Sequence, residues 1–157
     1  SKYFDKLITD GWPDRNLTLC HMDFHQQNMF IDEDAPDDPI VIFDWDGCHI
    51  GSGAHDVAYL LSFLPVEYRR DIESAILLTY HNELLASGVS AYTLQDLRDD
   101  YRFGCVFNTY LLPMCLSLDF SGEDSQQLAT QVIEGFLCNM LDHDGPALVA
   151  QLSATLT

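Results

Sequence analysis

From Ala54 onward the apolar residues of this chain recur at helical spacing, whereas before it they come in short runs of three or four divided by polar loops. That change of period confines the fold to a small strand-bearing head followed by a helical body. The head's runs fall at 17–20, 29–32 and 40–43. Glu33-Asp34-Ala35-Pro36-Asp37-Asp38 stands between the last two and predicts a hairpin turn. The segment 20–28 between the first two runs is rich in polar residues, and a loop held on a small scaffold is a common place for chemistry.

In the body, 54–64 predicts a short helix that stops before Pro65, which then fits the first turn of the next helix. That second helix carries Tyr68, Ile72, Ile76 and Leu84 near one face and ends at Gly88. Thr93 with Asp96 forms a capping-box pattern and opens a helix through Leu97, Tyr101, Cys105 and Leu112, which Pro113 should kink or end. Ser121, Glu123 and Asp124 start another, striped by Leu128, Val132, Phe136 and Met140. The run 142–146 stops it, and a last short helix follows. Residues 1–10, with Tyr3, Phe4, Leu7 and Ile8, read as the end of a helix with little before it to pack against. The expectation is therefore an α+β, mainly α, single domain that is the C-terminal part of something longer.

Composition narrows the partners. The 157 residues are 47% apolar and 20% charged, enough for one core. Seven basic against 25 acidic residues give −18, which argues against nucleic acid and anionic membrane, since polyphosphate is bound by clustered Lys and Arg. The longest charge-free apolar stretch, 103–118, holds Asn108 and Pro113 and falls short of a bilayer span. No basic-then-apolar signal segment opens the chain. Cys20, Cys48, Cys105, Cys115 and Cys138 show no CxxC spacing, which reads as reduced thiols in a cytoplasmic protein.

The densest polar signal is His21-Met22-Asp23-Phe24-His25-Gln26-Gln27-Asn28; the second is Asp44-Trp45-Asp46, directly after the apolar run Ile40-Val41-Ile42-Phe43. The hairpin between them can return the chain, so Asp23, Asn28 and Asp44 can converge from neighbouring loops. Two carboxylates and a carboxamide offer hard oxygen ligands that suit a Mg²⁺ retaining waters and meeting phosphate. A carboxylate left off the metal can orient or receive the proton of an attacking hydroxyl.

H-x-D-x-x-x-x-N followed by D-W-D resembles the catalytic and metal loops of the protein-kinase-like superfamily. The nearer resemblance is to its small-molecule branch: aminoglycoside phosphotransferases, choline-kinase-like enzymes and ecdysteroid-kinase-like proteins. Those families run H-G-D-x-x-x-x-N, then I-D-W/F-E/Q/D, then G-x-x-x-x-D-L-A. This chain has His21-Met22-Asp23 with Asn28, Phe43-Asp44-Trp45-Asp46, and Gly51 followed by Asp56-Val57-Ala58-Tyr59. The resemblance is close over roughly the first 65 residues. It implies a kinase-like C-terminal lobe, with a small β-hairpin carrying the two loops. It also implies Asp23 as catalytic base, Asn28 and Asp44 as ligands of Mg²⁺ and thereby of ATP, and His21 as the brace of the catalytic loop. Asp56 is implied as a buried acid hydrogen-bonded to that loop's backbone. Met22 departs from the family's glycine, and Trp45-Asp46 stands where protein kinases have Phe-Gly, which argues for the small-molecule branch.

No glycine-rich phosphate loop is present, and Lys2 and Lys6 are the only lysines, so the nucleotide lobe of such a kinase is absent from residues 1–157. The function expected is ATP- and Mg²⁺-dependent phosphoryl transfer to a hydroxyl of a small molecule, by a longer two-lobed enzyme. The acceptor, aminoglycoside-like, choline-like or another alcohol, would be gripped in the region 96–110, where acids suit a cation. The alternative is a kinase-like binding or regulatory module without turnover. A metal-dependent hydrolase is disfavoured because no second histidine ligand set appears. Self-association through a face left by the absent lobe is a further expectation. Asp46 reads either as a partner of the metal's surroundings or as a solvated acid; His25 reads either as substrate-facing or as exposed. His49 and His55 are not expected to bind metal. Tyr101, Phe107 and Tyr110 lie at helical spacing and read as a core stripe rather than a substrate wall.

Overall fold

Two pairs of short strands, not one hairpin, make the head. The structure, a computed structural model, describes residues 16–35, 37, 39–117 and 122–155. The expectations for a helix end at residues 1–10 and for Ser121 as a helix start lie outside the described residues. Strands β2 (Met29–Ile31) and β3 (Ile40–Ile42) form the expected hairpin, with Met29 opposite Ile42. The second pair is a correction: β1 (Leu17–Cys20) runs antiparallel to β4 (His49–Ser52), with Leu17 opposite Ser52 and Cys20 opposite His49. The sequence of β4, His-Ile-Gly-Ser, has one large apolar residue and no alternation, so nothing local predicts it.

The body consists of α1 (Gly53–Ser62), α2 (Val66–Ala86), α3 (Leu94–Asn108), α4 (Leu112–Ser117), α5 (Glu123–Asp142) and α6 (Gly145–Thr155). Pro65 sits just before the first turn of α2 rather than in it. The capping box of α3 is complete: the Asp96 amide donates to Thr93 Oγ1, and the Thr93 amide donates to the Asp96 carboxylate at 2.9 Å. Helix α3 ends at Asn108, ahead of Pro113, by tightening into a 3-10 turn at Thr109–Leu111. Pro113 instead occupies the first turn of α4, where a missing N–H costs nothing.

Helix α1 is the centre of the body. Its Ala54, Ala58 and Leu61 pack with Leu97, Tyr101 and Cys105 of α3 in the main core cluster. Close approach requires Gly104, where a Cβ would lie 3.2 Å from both the Ala58 Cβ and the His55 Cα. A second cluster joins Tyr59 of α1 to Leu111, Val132 and Phe136. Val132 and Phe136 belong to the expected stripe of α5, whereas Leu128 is 37% exposed.

Helix α2 departs from its expected stripe. Ile72 and Leu84 pack on the core, but Tyr68 and Ile76 face solvent, and Arg69, Leu77 and His81 turn inward. Arg69 is buried because its charge is met: it bonds Glu73 at 2.6 Å and also Asp142 at the end of α5. Glu73 further accepts the Tyr101 hydroxyl at 2.9 Å and lies 2.9 Å from His143 Nε2. Burial pushes the Glu73 carboxyl up, but His143, Arg69 and Tyr101 outweigh it and hold it below the usual range. This network fastens α2, α3 and α5 together. No helix among the described residues is long and apolar enough to cross a membrane.

Candidate active site

Strand β1 delivers the chain into the polar loop, and helix α1 holds that loop from beneath. Cys20, the last residue of β1, is fully buried, and burial with the nearby Asp56 charge pushes its thiol up to about 12, so it is not a nucleophile. The next two amides, of His21 and Met22, donate to Asp56 Oδ2 at 2.7 Å and Oδ1 at 2.9 Å. Asp56 lies in the first turn of α1, where a carboxylate also suits the positive end of the helix. Its side chain keeps 16% exposure, so it is partly buried rather than sealed.

His21 is 1% exposed and bridges the loops. Its Nε2 lies 2.8 Å from the Phe43 carbonyl oxygen, which can only accept, so that nitrogen carries the proton. The ring packs 4.7 Å from Trp45 and 5.8 Å from Phe24. The carbonyl it grips belongs to the residue immediately before Asp44. From the other side, the Phe43 amide donates to the Asn28 carbonyl at 3.1 Å. The two sequence motifs are thus joined through the backbone of Phe43.

Asp23 and Asn28 are hydrogen-bonded to each other. Asn28 is buried, and its Nδ2 donates to the Asp23 carbonyl at 2.9 Å and to Asp23 Oδ2 at 3.0 Å. With the amide nitrogen so engaged, Oδ1 is the atom left to meet a cation. Asp44 has left-handed backbone angles, φ 63° and ψ 58°, starts the 3-10 turn Trp45–Gly47 without capping it by its side chain, and is exposed. Asn28 and Asp44 therefore present two hard oxygen donors on backbone-linked loops, which fits an ion shared with phosphate and water. Among the described residues no group of three or more His, Cys, Asp or Glu forms a closed metal cage. Asp46 is exposed on the turn.

Two residues given no firm role by sequence converge on Asp23. The Tyr59 hydroxyl donates to Asp23 Oδ1 at 2.9 Å, and His25 Nε2 lies 3.3 Å from the same oxygen. His25 is 13% exposed in its side chain; its Nδ1 accepts the Gln27 amide and its ring stacks on Phe63 at 4.8 Å. It faces Asp23, not open solvent. Tyr59 reads in sequence as one apolar member of a helix; the available signal was its place one turn after Asp56. Of the aromatic stripe on α3 and beyond, Tyr101 and Phe107 are buried as expected, but Tyr110 is 38% exposed. Burial, then the charge of Asp23, pushes the Tyr110 hydroxyl up from its usual range.

The other histidines lie elsewhere: His49 is exposed on β4, and His55 is buried edge-on to Phe107 at 5.3 Å. The acids of 96–110 are largely committed. Asp96 serves the capping box, and Asp100 is buried, accepting from Tyr92 at 2.8 Å. Asp99, bonded to Gln95, is the one of these acids that is exposed.

The family model described as the phosphotransferase enzyme family matches residues 3–93, more than half of the chain. It spans β1 to β4, both loops, α1 and α2. No curated protein and no solved structure matches the chain. The chain belongs to the phosphotransferase enzyme family.

Proposed function

We propose that this member of the phosphotransferase enzyme family transfers the γ-phosphoryl group of ATP to a hydroxyl of a small molecule, aminoglycoside-like, choline-like or another alcohol. In this reading residues 1–157 are the C-terminal, catalytic lobe of a longer two-lobed enzyme whose nucleotide lobe lies upstream. The observation that carries it is the Asp23–Asn28 pair, joined through the backbone of Phe43 to Asp44.

The chemistry follows from what each group can do. Asp23 orients the acceptor hydroxyl and takes its proton as the hydroxyl oxygen bonds to the γ-phosphorus and the bond to the bridging oxygen breaks, releasing ADP. Asn28 through Oδ1, and Asp44, would hold Mg²⁺. The ion would neutralise charge on the phosphates. Asp46, two residues beyond Asp44, would act on it through water. His21 and Asp56 hold the loop on which Asp23 sits, so that little reorganisation is needed at the moment of transfer. Free thiols at Cys20, Cys48, Cys105 and Cys138 support a reducing, cytoplasmic setting.

Exposed apolar side chains on the strands support a covering lobe. Leu19 is 57% exposed, Ile31 71%, Ile40 56% and Ile50 57%. Left bare, such a surface drives self-association.

The test uses the complete protein. Titration of Mn²⁺ and ATP into wild type, Asn28→Ala and Asp44→Ala should show each substitution weakening metal-nucleotide binding by about tenfold or more. Transfer from labelled ATP to a panel of amino sugars, choline and neutral alcohols should occur in wild type and vanish in Asp23→Asn. Equal binding by all three proteins would remove the site. Nucleotide binding without transfer to any acceptor or to water would instead favour the binding-module alternative.

A further inference from the structure

One helix clamps the loop twice, at its main chain and at its key side chain. Asp56 takes the amides of His21 and Met22, and Tyr59, one turn further along α1, reaches the carboxylate of Asp23. We propose that Tyr59 is a positioning residue for Asp23, its buried hydroxyl fixing the carboxylate in the orientation that receives the acceptor's proton. This inference rests on the proposed role of Asp23 and deepens it.

The geometry gives Tyr59 little freedom to do otherwise. The residue is 6% exposed, and its ring packs 5.1 Å from Phe63 and 5.7 Å from Phe136 in the second core cluster. A tyrosine fixed this way holds its hydroxyl at one point, and that point is 2.9 Å from Asp23 Oδ1. The Asp23 side chain, by contrast, is 46% exposed, so its orientation depends on the groups that hydrogen-bond its carboxylate. It is held from both ends. Oδ2 accepts from Asn28 at 3.0 Å, and Oδ1 accepts from Tyr59, with His25 Nε2 at 3.3 Å.

His25 supports the same oxygen from the loop side. Its Nδ1 accepts the Gln27 amide at 3.2 Å, so in the neutral ring the proton sits on Nε2, the atom turned to Asp23. Asn28, however, would also be engaged at Oδ1 with the metal. Tyr59 is the support anchored in the helical body and independent of metal and nucleotide. Without it the carboxylate would rotate about its own bonds, and the fraction of time spent facing the acceptor would fall.

The experiment compares wild type, Tyr59→Phe and Asp23→Asn in the complete protein, with MgATP as phosphoryl donor and water as acceptor. Tyr59→Phe keeps the ring that Phe63 and Phe136 contact, so its melting temperature should stay close to that of wild type. Its kcat should fall about tenfold while KM for ATP changes less than about twofold, because the hydroxyl touches the base and not the nucleotide. A second readout needs no turnover. In protein labelled with 3-fluorotyrosine, Tyr59→Phe identifies the Tyr59 fluorine line, and Asp23→Asn should shift that line, since it replaces the carboxylate that the hydroxyl donates to.

The outcomes separate. Unchanged or increased kcat in Tyr59→Phe, with Asp23→Asn inactive, overturns the positioning role and leaves Asp23 as the base. An unshifted fluorine line in Asp23→Asn overturns it whatever the kinetics. Full turnover in Asp23→Asn overturns the role of Asp23 itself, and the role of Tyr59 falls with it. A fall in kcat matched by a collapse of the melting temperature in Tyr59→Phe, with no fluorine shift, assigns Tyr59 to the core alone and overturns the inference.

Discussion

Asp56 Oδ1 accepts the backbone amide of Met22 at 2.9 Å, and Met22 itself sits at φ 70°, in the left-handed region. These two facts belong together. Families that this sequence resembles have glycine at that place, and glycine takes positive φ without steric cost. A methionine there costs about 1–2 kcal/mol. The Asp56 carboxylate accepts the amides on both sides of the peptide unit's strained turn, His21 at 2.7 Å and Met22 at 2.9 Å, and so retains the loop shape that glycine would otherwise permit. The loop can be read as one geometry held by a helix-borne acid, not as a consequence of glycine.

Met22→Gly should therefore stabilise the protein by about 0.5–1 kcal/mol, the relieved strain being partly offset by glycine's greater freedom in the unfolded chain. Urea unfolding monitored by circular dichroism measures it. A loss of stability would mean that the methionine side chain contributes more by packing than its backbone costs.

Asp56→Ala strands two buried-side amide donors and should destabilise by about 1–3 kcal/mol. The loss should be local as well as global: amide exchange at residues 21 and 22 should accelerate more than exchange in α3. If Asp56→Ala unfolds at the same urea concentration as wild type, water replaces the carboxylate without cost and the clamp is not what holds the loop.

Acid should weaken the body through Asp142. Arg70 first, and then Arg69, hold its carboxyl at about 2 against a usual 3.8. A depressed folded value contributes stability that is fully present above the unfolded value and is lost as pH falls through the folded one. The window is thus pH 4 down to 2, and Glu73, held low beside His143 and Arg69, adds to it in the same direction. Asp142→Asn should be less stable than wild type at neutral pH and should lose less on acidification through that window. Parallel curves of unfolding midpoint against pH for the two proteins would show that the pair with Arg70 carries no linkage.

Much of this architecture is legible in the sequence, and the exceptions have physical causes. The hairpin turn, the Thr93–Asp96 capping box and the motif residues Asp23, Asn28 and Asp44 are local patterns, and local patterns survive folding. Strand β4 is not local: its hydrogen bonds go to β1, across two loops and a hairpin, and its own residues show no alternation. Helix α2 misleads because a charge usually marks the outer face, whereas Arg69 is buried with its charge met by Glu73 on the same helix and by Asp142 at the end of α5. Tyr59 misleads in the opposite sense. Its ring satisfies the apolar pattern, and only the three-dimensional path of the loop shows that its hydroxyl meets Asp23.

The last expectation concerns residues 1–157 by themselves. The proposed nucleotide lobe supplies the phosphate-gripping lysine and glycine loop, while the chain's only lysines are Lys2 and Lys6. The helical body has its own core in two clusters around α1, so it should fold without help. Residues 1–157 should therefore melt cooperatively, bind ATP weakly and give no phosphoryl transfer, beside a complete protein that does. They should also self-associate through the exposed strand residues, and Leu19→Lys with Ile31→Lys should return them to monomer in sedimentation velocity, since both side chains are more than half exposed and cost little to replace. Asp23→Asn serves as the blank in both lengths of chain. Turnover by the short chain that disappears in Asp23→Asn would mean that the loops alone assemble a working site, and the two-lobed reading would have to be given up.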